Sequence, residues 1–307
     1  MRRASGPVVA ALVLVPAIWG YNWVVMKKAL AYMGPFEFAA VRFVPAALLL
    51  MAILVVRRRP LVARPLLPVL GVGVLQTAGN TALSLFALRQ GPAGRSALLC
   101  YTMPFWIVLL AWPLLRERPT RLQWLALLTA AAGLGLVFAA GAGAGGNLAA
   151  AALATGSGLS WAAGAVLTRR LLVRHPVDVM ALAAWQMLAG GLALWLGALA
   201  FPGEPTRWTP YLVFAVLYEI LPATALAWLL WTALLGRVSA GVAGLAILAA
   251  PVIGLLASAA QMGERPPPLE ALGIVLLLGA LLLVGPLALR QARLAAPAAG
   301  GAARNPP

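Results

Sequence analysis

Of the seven acidic residues in this 307-residue chain, six fall among turn signals or at the ends of apolar runs. The exception is Glu219, in Tyr218-Glu219-Ile220-Leu221-Pro222, well inside an apolar run over about 210–235. Arg42 is its basic counterpart, within a run over about 36–56. Charge held deep in hydrocarbon is expensive, so such groups face a cavity or one another. If both runs enter from the same membrane face, a rise of 1.5 Å per residue puts both side chains about 9–14 Å below it, where they can meet. Arg42 then has the chemistry to hold a substrate carboxylate or to pair with Glu219, and Glu219 to bind a proton or an amine. Burial and a neighbouring arginine pull a carboxyl's proton affinity in opposite directions, which equips Glu219 as a proton-coupling switch. A static ion pair joining two helices is the plainer alternative.

A second constellation is neutral. Gln76, Asn80 and Ser84 stand at i, i+4 and i+8, one polar stripe on an otherwise apolar segment. Such a stripe avoids lipid; it either lines a pathway and hydrogen-bonds cargo or bonds across to a neighbouring helix. Gln186, beside Trp185, repeats the argument more weakly. Trp19, Asn22, Trp23 and Met26 share a helical face, and Tyr101, Trp106, Trp228 and Trp231 lie inside apolar runs. Aromatic walls suit cationic or amphipathic solutes, while helix packing and interfacial belts explain most single tryptophans. Pro104 and Pro251 free backbone carbonyls and bend helices, and Lys27 and Lys28 read as interfacial side chains.

The elements that must carry these groups are membrane helices. Hydrophobic residues make up 63% of the chain, charged residues 10%, and mean hydropathy is +0.95, where a soluble domain carries roughly 25% charged residues. Apolar runs long enough to cross a bilayer predict ten spans, at about 7–29, 36–56, 66–88, 95–115, 121–139, 148–168, 179–201, 210–235, 240–261 and 269–289. The first run lacks a small-residue cleavage site and is predicted to be retained as a helix. With the N-terminus in the cytoplasm, sixteen of the 23 basic residues fall in cytoplasmic segments, so the charge bias supports ten helices with both ends inside. The net charge of +16 thus encodes topology and implies no nucleic-acid partner.

The chain also repeats itself. A shift of 147 residues carries Thr77-Ala78 onto Thr224-Ala225, Ala93-Gly94 onto Ala240-Gly241, Pro104 onto Pro251, and Glu117-Arg118-Pro119 onto Glu264-Arg265-Pro266. A shift of 142 carries Trp19 onto Trp161. Five helices per copy is odd, so the second copy enters the membrane with opposite polarity, an arrangement common in secondary transporters. The expected fold is therefore all-α and polytopic, two inverted five-helix repeats over 1–140 and 148–290, a glycine-rich connector at 141–147, and a disordered cytoplasmic tail at 291–307.

Trp19-Gly20-Tyr21-Asn22-Trp23, Arg42-Phe43, Tyr101-Thr102-Met103-Pro104-Phe105-Trp106 and the loop Gly263-Glu264-Arg265-Pro266, with its variant Arg116-Glu117-Arg118-Pro119, resemble the EamA-type transporters of the drug/metabolite transporter superfamily. The resemblance covers about 10–290. It implies an inner-membrane carrier, often an exporter, of amino acids or other small metabolites, with Trp19, Asn22 and Tyr101 on helices bordering a central cavity. A carrier of cationic drugs or nucleosides on the same fold is the alternative, as is a membrane scaffold without cargo. An intramembrane enzyme is disfavoured, since the chain holds one histidine (His175), one cysteine (Cys100), and no H-E-x-x-H or G-x-S-x-G motif. No phosphate loop appears, and no cofactor or metal is implied; the expected partners are a small solute, a proton and the bilayer.

Overall fold

A computed structural model describes residues 6–116, 118–142, 147–230 and 249–295, with the backbone alone at 6–12, 115, 141–142 and 284–295. These residues form ten helical segments and no strand. We name them α1 (Gly6–Ala29), α2 (Pro35–Val56), α3 (Leu66–Gln90), α4 (Ala93–Cys100 continuing as Met103–Leu115), α5 (Arg121–Ala142), α6 (Leu148–Arg174), α7 (Val179–Ala200), α8 (Pro210–Leu230), α9 (Ala249–Met262) and α10 (Pro268–Ala295). Among the described residues, α2 to α8 supply seven helices long and apolar enough to cross a membrane. The described part of α9 is shorter, and Glu117, Trp231 and the Ala240-Gly241 pair of the repeat lie outside the described residues. So do 143–146 of the expected connector and 296–307 of the expected tail; α10 remains helical to Ala295.

Turn and cap chemistry explains where several helices start. Asn147, Asp178 and Thr209 each accept N–H groups of the first turn of α6, α7 and α8, satisfying donors that a helix start otherwise leaves orphaned. Gly34 precedes Pro35 at the start of α2, where a missing N–H costs nothing.

Two helices depart from α geometry in matching places. α3 widens into a π-turn over Gly73–Gly79 and α8 over Glu219–Leu226. The 147-residue shift found in the sequence carries 73–79 onto 220–226. Each π-turn has a carbonyl held by a side chain of another helix: Ser160 of α6 donates to the Leu75 carbonyl at 2.7 Å, and Trp19 of α1 to the Ala223 carbonyl at 2.8 Å.

The helix pairs also correspond. α2 packs on α7, α4 on α9 and α5 on α10; α1 on α9 matches α6 on α4, and α3 on α7 matches α8 on α2. Exchanging the first five helices for the last five leaves this set unchanged. α5 and α10 approach through glycines: a Cβ on Gly133 would lie 2.8 Å from the Gly273 carbonyl oxygen, and one on Gly273 would lie 2.7 Å from that of Gly133. Between apolar helices in lipid, such close backbone approach supplies the packing that hydrophobic burial cannot.

Candidate functional site

Glu219 opens the π-turn of α8 and is fully buried; Arg42, two turns into α2, is 13% exposed. Their charged groups meet, with Arg42 Nη1 at 2.9 Å from Glu219 Oε2. The guanidinium also lies 4.4 Å from the Phe43 ring centroid and 3.3 Å from the Met26 sulfur. Asn22 of α1 stands beside the carboxylate. Three helices thus converge on one polar point. Its hydrogen bonding is incomplete: among the described residues, Glu219 Oε1, Arg42 Nε and Asn22 Oδ1 are buried without a hydrogen-bond partner. Buried polar atoms of this kind carry a desolvation cost that a ligand, proton or water can relieve.

Aromatic side chains close the α1–α8 seam around the pair. Trp19 and Trp228 meet edge to face with centroids 5.9 Å apart, and Tyr21 and Tyr218 do so at 6.2 Å. The Tyr218 hydroxyl donates to the Ile18 carbonyl at 2.8 Å. Tyr101 occupies the break in α4, buried, with its ring 6.3 Å from that of Trp23.

The neutral stripe of α3 is placed differently from the charged pair. Asn80 donates to the Ser157 hydroxyl at 2.9 Å and the Ser157 carbonyl at 3.1 Å, and Ser84 to the Thr81 carbonyl of its own helix at 3.0 Å. Gln76 accepts from Thr168 at a long 3.5 Å. The π-turn ends between Gln76 and Asn80, so the i, i+4 spacing assumed for a straight helix does not hold across it. Asn80 and Gln76 both reach α6. Gln186 is buried in α7 with its Oε1 unpartnered among the described residues. His175 is exposed in the α6–α7 connection, and no cluster of metal-ligating side chains occurs among the described residues.

The sequence did not disclose a second polar centre. Arg95 in the first turn of α4 and Glu270 in the first turn of α10 form a buried, two-pronged ion pair, with Nε 2.6 Å from Oε1 and Nη2 bonded to Oε2. Beside it the motif residue Glu264 accepts the N–H groups of Ala93 and Gly94 at 2.8 and 3.0 Å and the Ser258 hydroxyl. Both residues sit at the margins of apolar runs, where charge signals nothing special in a sequence. Lys27, expected as an interfacial side chain, donates instead to carbonyls that end α3, Leu88 and Gly91, the latter at 2.8 Å.

Comparison with known proteins places this arrangement. The EamA-like transporter family matches the chain twice, over residues 6–139 and 148–285. A Salmonella typhimurium protein named "Probable amino-acid metabolite efflux pump" is 30% identical over 87% of this chain and 91% of its own length. The Escherichia coli inner membrane transporter YedA is 29% identical over 91% of this chain and 90% of its own length. A solved crystal structure shares the fold with a TM-score of 0.65 at 22% identity, covering 94% of this chain and 99% of that one. With both halves matched and membrane helices carrying a buried charged pair between them, the chain is a membrane transporter and belongs to the EamA-like transporter family of the drug/metabolite transporter superfamily.

Proposed function

We propose that this transporter is a ten-helix inner-membrane carrier that exports amino acids or related small metabolites by alternating access. Its architecture is taken as two inverted five-helix repeats with both termini in the cytoplasm. The repeat in sequence, the doubled family match and the exchangeable helix pairs support that symmetry. The cargo site is assigned to the meeting point of α1, α2 and α8. Arg42 holds a carboxylate, Glu219 an ammonium or a proton, Asn22 orients the solute, and Trp19 and Tyr101 bound it. Gln76, Asn80 and Gln186 are assigned to its polar surround, with Asn80 acting through its bonds to Ser157.

The observation that carries this reading is the unmet hydrogen-bonding capacity around a buried ion pair. A pair serving only to tie two helices is stable when its remaining lone pairs and protons are satisfied; here a carboxylate oxygen, a guanidinium N–H and an amide oxygen are not. A zwitterion supplies the complement to all three. The name of the Salmonella relative agrees with such a cargo. The aromatic rings of the α1–α8 seam favour one second reading, export of organic cations stacked between Trp19 and Trp228.

Reconstitution decides between them. Purified protein in proteoliposomes, tested with labelled neutral amino acids, nucleosides and cationic dyes, is expected to move an amino acid. Movement of cations alone selects the second reading, and movement of nothing across the panel overturns the carrier assignment.

A further inference from the structure

The connections on the membrane face away from the Arg95–Glu270 pair enclose a feature the transport reading does not use. The α2–α3 connection and the α6–α7 connection lie side by side, joined by Trp185 Nε1 donating to the Leu61 carbonyl at 2.8 Å and by Arg59 at 3.5 Å from Asp178. Between them lies a shallow, open hollow lined by Arg64, Pro65, Leu66, His175 and Pro176, a shape that suits a headgroup lying against a surface rather than an enclosed ligand.

The charge around it is one-sided. Residues 57–65 and 169–178 together hold seven arginines and a single acid, Asp178. That acid is already committed: Oδ1 accepts the N–H groups of Met180 and Ala181 at 2.9 and 3.0 Å, and Oδ2 faces Arg59. Arg64 is exposed and forms no ion pair among the described residues. Its backbone is held between the buried Ala63 and the Pro65 that precedes α3, while the side chain is exposed. Orientation in the membrane needs arginines in these loops, but it needs neither a hollow nor an arginine without an ion-pair partner in its wall.

The flanks are apolar. Leu67 of α3 is 80% exposed and Val173 of α6 is 79% exposed, one or two residues from the lining on either side. Leu61 and Val62 are exposed as well. A ligand that fits must therefore join an anionic head to apolar chains. A guanidinium fork matches two oxygens of a phosphodiester, and basic recesses between membrane helices attract anionic headgroups.

We propose that this hollow is a headgroup site for an anionic phospholipid of the leaflet it faces. Arg64 is the principal phosphate ligand, His175 a second donor, and Leu67 and Val173 flank the acyl chains. The lipid braces the α2–α3 connection against the α6–α7 connection, one from each half of the chain.

The test is thermal unfolding of the purified full-length protein in detergent supplemented with phosphatidylglycerol, phosphatidylcholine or inorganic phosphate. A ligand that binds only the folded state raises the melting temperature. Phosphatidylglycerol is expected to raise it above the phosphatidylcholine value, and Arg64→Gln to remove at least about half of that increment while Arg118→Gln retains it. An equal loss in both variants, or an undiminished increment in Arg64→Gln, overturns the site in favour of diffuse charge. The same increment with inorganic phosphate overturns the lipid assignment. Should Arg64→Gln not fold, native mass spectrometry of wild-type protein from equimolar mixed lipid replaces it. One retained phosphatidylglycerol supports the site, and no preference over phosphatidylcholine refutes it.

Discussion

At Glu219, a carboxylate removed from water is balanced by one guanidinium contact and by few hydrogen bonds. Removing one partner from a buried ion pair typically costs about 3–5 kcal/mol, so the arrangement is sustained by attraction while leaving capacity for a third group. Glu264 does the opposite. Two backbone N–H groups and the Ser258 hydroxyl occupy its oxygens, and it serves as a cap supplied to α4 from the α9–α10 connection. Glu264→Ala is therefore expected to lower stability by about 1–2 kcal/mol, seen as a lower melting temperature in detergent; an unchanged melting temperature would count against the cap. The sequence distinguished these two acids only partly. Glu219 stood out because its neighbours are apolar on both sides. Glu264 was visible as part of a repeated motif, but the two backbone N–H groups it caps lie 170 and 171 residues away and nothing local points to them.

At the scale of elements, hydropathy found the helices because lipid demands long apolar segments and leaves few other ways to satisfy the backbone. It could not find the π-turns at Gly73–Gly79 and Glu219–Leu226, since an added residue in one turn changes no composition. Gln76 and Asn80 on either side of the first π-turn still both reach α6, while Ser84 turns back to the Thr81 carbonyl of its own helix. Glycines at helix crossings were equally silent: Gly133 and Gly273 touch backbone, whereas a Cβ on Gly279 of the same α10 would meet nothing within 4 Å. Substitution should separate them. Gly273→Val is expected to cost about 1–3 kcal/mol through forced separation of α5 and α10, whereas Gly279→Ala is expected to be neutral or stabilising by up to about 1 kcal/mol. Chemical or thermal unfolding of the two variants checks this, and equal effects would deny the close crossing.

For the whole molecule, symmetry gives the charged pair its meaning. Arg42 lies in the first half and Glu219 in the second, on α2 and α8, helices whose pairing is matched by that of α7 and α3. Under the proposed alternating-access reading, a contact at such a seam is placed to respond to relative movement of the halves. The duplication and the meeting of Arg42 with Glu219 were legible in sequence offsets and in a 1.5 Å rise per residue. The inter-half bonds of Trp19, Ser160 and Arg95 were not, because each depends on three-dimensional packing that offsets do not encode. The most direct measurement is amino-acid transport in proteoliposomes, with and without an imposed pH gradient, for wild type and Glu219→Gln. The account predicts gradient-driven accumulation by the wild type, and in Glu219→Gln a rate lower by about tenfold or more with no response to the gradient. Accumulation by Glu219→Gln at the wild-type rate, with its gradient dependence intact, would contradict it.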